Sequence, residues 1–129
     1  MVLIKNTVKI KFAKIGYKKI ADFALGKKYD LSLVFIGKKK MREFNSKFRQ
    51  KDYATNILSF PLSKTEGEIF ICPQVAIKEA EKVSYNFDKY LKFLFIHGIT
   101  HLKGFDHGSK MEEEERKTRK KFSIIDPLK

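Results

Sequence analysis

Three histidines fall within eleven residues of this chain, in the run His97-Gly98-Ile99-Thr100-His101-Leu102-Lys103-Gly104-Phe105-Asp106-His107, and the chain has no others. Imidazole nitrogen ligates zinc, nickel, copper or iron, so such a cluster points to one divalent transition metal ion, and the residue types do not choose among the four; zinc is the expectation, with nickel second. His97 and His101 lie one helical turn apart and project from one face of a helix. Leu94 and Tyr90 continue that face one and two turns earlier, which places the pair in an apolar groove. Gly104 permits a left-handed turn that reverses the chain and can carry His107 back toward the other two. Three neutral imidazoles with one position left for water or substrate make a catalytic site. The competing reading is three ordinary histidines at the end of a core helix. It suits a single histidine better than three at this spacing.

The same ligand spacing, His-x3-His-x2-Gly-x2-His, serves a class of zinc peptidases that place a glutamate directly after the first histidine as general base. Here that position is Gly98. The ligand set is shared, but the proton acceptor needed for peptide hydrolysis is missing.

The elements that must position these residues are legible from periodicity. Val2 to Phe12 alternates Ile4, Val8, Ile10 and Phe12 with polar residues and predicts a strand. Ile15 to Leu25 has helical spacing and ends at Gly26. The run 31–36 is a buried strand closed by Gly37, and Lys38 to Phe48 returns to helical spacing. Ile57 to Phe60 and Ile69 to Cys72, each stopped by a proline, predict an antiparallel pair across a short polar loop. Pro73 opens a helix through Val83, and Asn86 caps a second that runs to about Lys103. That second helix is apolar around most of its circumference, which makes it the buried central helix, with the metal site at its end. A last helix follows a Ser109–Glu112 capping box. Its acidic start and basic end suit the helix dipole, with Glu112–Arg116, Glu113–Lys117 and Glu115–Arg119 as i,i+4 pairs. The whole reads as an α+β fold in a single domain over residues 1–129.

Composition bounds the setting. One cysteine, Cys72, excludes an internal disulfide and suits a reducing compartment. The opening apolar run is far too short for a signal segment, and no stretch approaches the roughly 18 apolar residues of a membrane span. A cytoplasmic protein with no membrane contact is the expectation. The net charge is +13, from 28 basic and 15 acidic side chains, which favours polyanionic partners such as nucleic acid. Only four of the basic residues are arginine, and a lysine excess beside abundant Phe and Ile is also what an AT-rich genome yields.

The histidine run resembles the His-Gly-x-Leu-His-Leu-x-Gly-Tyr-Asp-His signature of the YbeY family of endoribonucleases and ribosomal RNA maturation factors. Phe44-Asn45 and Arg49-Gln50-Lys51-Asp52-Tyr53-Ala54-Thr55-Asn56-Ile57-Leu58-Ser59-Phe60-Pro61 are similar to its second motif, and Gly67-Glu68-Ile69-Phe70-Ile71-Cys72 to its Gly-Asp-Ile-Val-Ile strand. Thr100, Phe105 and Glu68 depart mildly from the pattern; Phe105 lacks the hydroxyl of the family's tyrosine. The resemblance implies a mixed, mostly parallel four-stranded sheet flanked by helices. It implies metal-dependent cleavage of single-stranded RNA in ribosomal RNA processing, especially at the small subunit's 3′ end, and in ribosome quality control. RNA and the ribosome are then the partners, with no small-molecule cofactor. The family's metal ligands carry over onto His97, His101 and His107, and its functional arginine onto Arg49.

A guanidinium at Arg49 would clamp a phosphate bidentately, which lysine cannot do; the alternative is a surface residue or a structural ion pair. Asp106 either orients a ligating histidine or stabilises the turn after Gly104. Asn56 and Ser59 read as strand polarity before cleft lining, and Cys72 as core. Two other functions share these residues: a zinc peptidase-like hydrolase, against which Gly98 argues, and a non-catalytic ribosome assembly factor stapled by a structural metal.

Overall fold

A computed structural model describes residues 1–105 and 108–127. Nine elements follow in the order β1 (Val2–Asn6), α1 (Tyr17–Leu25), β2 (Asp30–Phe35), α2 (Lys38–Arg49), β3 (Ile57–Pro61), β4 (Glu66–Ile71), α3 (Pro73–Lys82), α4 (Phe87–Leu102) and α5 (Ser109–Lys121). The four strands form one sheet in the order β1-β2-β4-β3. β1, β2 and β4 run parallel, and β3 pairs antiparallel with β4. This is the mixed, mostly parallel α+β sheet expected.

Burial alternates along β2 and β4 with the period of two that a pleated strand imposes. Leu31, Leu33, Phe35, Ile69 and Ile71 face α1 and α4, where they meet Tyr17, Ile20, Leu91, Phe95, Ile96 and Ile99 in the main core. A smaller cluster of Met41, Leu58 and Cys72, flanked by Phe44, Phe60 and Phe70, includes side chains from α2. Cys72 is buried and unbridged, as core.

Two expected elements come out differently. The alternation that predicts a strand from Val2 to Phe12 persists in burial, but β1 stops at Asn6. Asn6 accepts the Val8 amide on its side chain at 3.0 Å, and the Thr7 hydroxyl donates to the Phe35 carbonyl at 2.7 Å. Those local bonds replace the ladder. At the other end of the chain, Ser109 is the first residue of α5 and Gly108 its cap, with no side-chain cap bond, so the capping box does not form.

Among the described residues no helix is long and apolar enough to cross a membrane.

Candidate metal and phosphate site

α4 carries the site because it packs between the sheet and three other helices. Asn86 caps its start, accepting the Lys89 amide at 3.0 Å. Gly98 lets it approach β3 closely: a Cβ there would lie 2.7 Å from both Ile57 Cδ1 and Ser59 Oγ. At the far end Gly104 adopts a φ of 95°, the left-handed turn expected of it.

His97 and His101 project from one face of α4 with ring centroids 4.8 Å apart and planes at 89°. Each uses Nδ1 on an oxygen: His97 meets Glu115 Oε1 at 2.5 Å, and His101 meets the Phe105 carbonyl at 3.1 Å. A carboxylate and a carbonyl only accept, so both rings carry their proton on Nδ1. An imidazole protonated there presents Nε2 as its ligand atom, the arrangement by which metal-binding histidines are fixed in tautomer and orientation. This donor set fits a divalent transition metal. The third expected ligand, His107, and Asp106 beside it lie outside the described residues. Among those described, no three His, Cys, Asp or Glu side chains gather as a ligand set.

Both imidazoles open into a cleft of about 650 Å³ lined also by Arg49, Asn56, Ser59, Glu79 and Tyr90. Arg49 is the last residue of α2, and the geometry beyond it is fixed locally. Gln50 takes a left-handed conformation with φ 55°, and its amide bonds the Asn45 and Ser46 carbonyls. The buried Asn45 side chain donates to the Tyr53 carbonyl at 2.9 Å, pinning the return toward β3. Among the described residues no carboxylate pairs with Arg49 within 4.0 Å, whereas Arg42, about two turns earlier, binds Asp52 at 2.8 Å. Arg42 keeps that carboxyl below its usual range through a hydrogen bond and its charge. The structural ion pair in this segment thus belongs to Arg42, and Arg49 faces the cleft.

Asn56 and Ser59 line the cleft as well, which corrects their reading as plain strand polarity. Asn56 Nδ2 and the Tyr90 hydroxyl both donate to Glu79 Oε1, at 3.0 and 3.1 Å. Burial, and then the Glu79 carboxylate, push the Tyr90 hydroxyl well above its ordinary value, so it remains a donor. Glu79 itself has no motif around it that singles it out in the sequence.

Glu115 is the other residue the sequence hides. Its charge suits the α5 dipole and its pairing with Arg119 is the expected i,i+4 one, but neither feature announces its contact with a histidine. Glu115 is 8% exposed, and its second oxygen accepts from Arg119 Nη1 at 3.1 Å. Arg119 is 6% exposed and stacks over the Phe93 ring at 5.9 Å. The expected Glu112–Arg116 pair forms at 3.6 Å. Lys117 pairs with Glu114 at 3.3 Å in place of the expected Glu113, and Glu114 is also bound by Lys103 at 3.0 Å.

A family model described as Endoribonuclease YbeY matches residues 4–128. The endoribonuclease YbeY of Staphylococcus carnosus is 36% identical over 107 residues, covering 74% of this chain and 70% of that protein. That of Ureaplasma parvum is 33% identical over 142 aligned positions, covering 98% and 91%. The Neisseria meningitidis protein is 38% identical over 97 residues, 67% of this chain and 55% of the relative. Among solved structures, the solution structure of TM1509 from Thermotoga maritima superposes with a TM-score of 0.68 at 25% identity, covering 100% of this chain and 96% of that one. With the motifs, the sheet order and the match over almost its full length in agreement, this chain belongs to the endoribonuclease YbeY family.

Proposed function

We propose that the chain is a metal-dependent endoribonuclease that cuts single-stranded RNA during ribosomal RNA maturation, the small subunit's 3′ end being its substrate region and the ribosome its partner. His97, His101 and His107 hold one divalent ion, zinc or else nickel, and Arg49 binds the phosphate. The observation that carries this reading is the meeting of Arg49 and two oriented imidazoles in one cleft.

Phosphodiester cleavage gathers negative charge on the non-bridging oxygens, so the site needs fixed positive groups where that charge develops. A bound divalent ion supplies Lewis-acid polarisation of a phosphoryl oxygen and a more acidic water. Arg49 contributes two parallel N–H donors from one plane, matched to the two oxygens of a phosphate. Its position at the end of α2, ahead of a pinned turn, holds those donors without a competing carboxylate among the described residues. Phe93, Leu94 and Val83 form the apolar wall that limits water around the reacting group. Glu79, fixed by Asn56 and Tyr90, keeps a carboxylate in the cleft lining as an acceptor for substrate hydroxyls.

A peptidase would need its general base at position 98, where a side chain would run into Ile57 and Ser59.

The test is metal analysis of the purified protein beside cleavage of a single-stranded RNA, with and without chelator, for wild type, His101→Ala and Arg49→Ala. The proposal expects His101→Ala to lose metal and cleavage together, and Arg49→Ala to keep metal and lose cleavage. Full metal content in His101→Ala would refute the ligand assignment. Metal-replete wild type that binds RNA without cutting it would favour an assembly factor with a structural ion.

A further inference from the structure

We infer that Glu115 is the positioning residue of His97: it accepts a hydrogen bond from Nδ1–H across the α4–α5 interface and so sets the ring's tautomer and rotation. The inference rests on the metal-site reading above for its consequence, though not for its geometry.

Four observations carry it. The Glu115–His97 contact joins two helices, with Oε1 on Nδ1 at 2.5 Å. The remaining oxygen is bound by Arg119 at 3.1 Å, so each carboxylate oxygen has its own partner and the group is held in one orientation. Arg119 is itself buried against Phe93, a residue of the cleft wall, which fixes the carboxylate relative to the cleft. Glu115 does not line the cleft, so it reaches the reaction only through the imidazole.

The two histidines are therefore oriented by unlike devices. His101 donates a hydrogen bond from Nδ1–H to a neutral carbonyl four residues on, within reach of its own helix end. His97 donates a hydrogen bond from Nδ1–H to a carboxylate eighteen residues away, and a carboxylate raises the basicity of the ring more than a carbonyl does. Within the acidic run at the start of α5, Glu115 is buried, whereas Glu114 binds Lys103 and Lys117 and Glu113 is exposed.

A purely structural role, in which Glu115 and Arg119 pin α5 to α4, predicts no effect on the ring's protonation. The deciding experiment compares wild type, Glu115→Gln, Glu115→Asp and the neighbouring control Glu114→Gln. Zinc affinity is measured by competition with a chromophoric chelator, and the His97 ring tautomer by proton–nitrogen correlation spectra of the metal-free protein. The expected result is a wild-type ring protonated at Nδ1, a mixed tautomer in Glu115→Gln, and zinc binding weakened about 10–100-fold. Glu115→Asp, which keeps the charge at shorter reach, loses less, and it supplies the readout if the glutamine variant does not fold. Glu114→Gln matches wild type in both measurements. An unchanged tautomer and unchanged zinc affinity in the Glu115 variants would overturn the inference. If wild type itself takes up neither zinc nor nickel, the metal reading fails, and the tautomers alone still decide whether Glu115 positions the ring.

Discussion

Ser59 donates its hydroxyl to the carbonyl of Gly98 at 3.2 Å, and a methyl group added at Gly98 would lie 2.7 Å from that same hydroxyl oxygen. The glycine is thus the point where α4 touches β3, one residue from the first histidine. Gly98→Ala forces Ile57 and Ser59 aside and should cost about 1–3 kcal/mol, the usual range for overpacking. Urea unfolding of the variant checks this, and wild-type stability would mean that α4 and β3 pack less closely than described.

Arg49→Lys keeps the charge at the cleft and removes the planar fork. Cleavage of single-stranded RNA should fall by roughly 100-fold, the scale of losing one aimed donor at a developing charge. Metal content and melting temperature should stay at wild-type levels, since Arg49 is exposed at a helix end. Normal turnover by the lysine variant would reduce the residue to a general electrostatic attraction.

Asn45 governs the turn that follows Arg49. Replacing it by alanine leaves the Tyr53 carbonyl without its donor and empties a buried position, at a cost of about 1–3 kcal/mol. Cleavage should drop in the same variant although Asn45 itself is absent from the cleft lining, and a substrate titration should show KM rising as phosphate binding loosens.

Alkaline stability follows from the tyrosines. Burial first, then nearby carboxylates, raise the hydroxyls of Tyr17 and Tyr90 above the ordinary value of 10.0. Burial likewise comes first in raising Tyr29 and Tyr85. A raised folded-state value means that the folded protein holds its protons longer than the unfolded chain. The stabilisation is therefore complete below about pH 10 and is lost as pH rises beyond it. In a Tyr53→Phe background, which removes the exposed ring, tyrosinate absorbance should appear in one step with the loss of helical circular dichroism, and tyrosinate forming smoothly in that still-folded variant would contradict the burial of the remaining rings.

Much of this architecture was legible because the pattern is local. The burial period of β2 and β4, Pro73 at the start of α3 and Asn86 at the start of α4 each announce themselves within a few residues. The histidine pair and its apolar groove follow from helical spacing alone. The end of β1 was not legible, because the Asn6 side chain competes with the ladder and alternation of apolar residues cannot show that. The capping box failed for a related reason: Ser109 has the right identity but lies one residue inside the helix. Glu115 and Glu79 were hidden because their partners come from other helices, 18 and 11 residues away, and nothing in a charge pattern separates an inward carboxylate from an outward one.

The placement of Glu115 also ties the imidazole to the join between two helices. Whatever loosens α5 from α4 releases the carboxylate and the ring together, so the alignment of His97 reports how firmly α5 is seated.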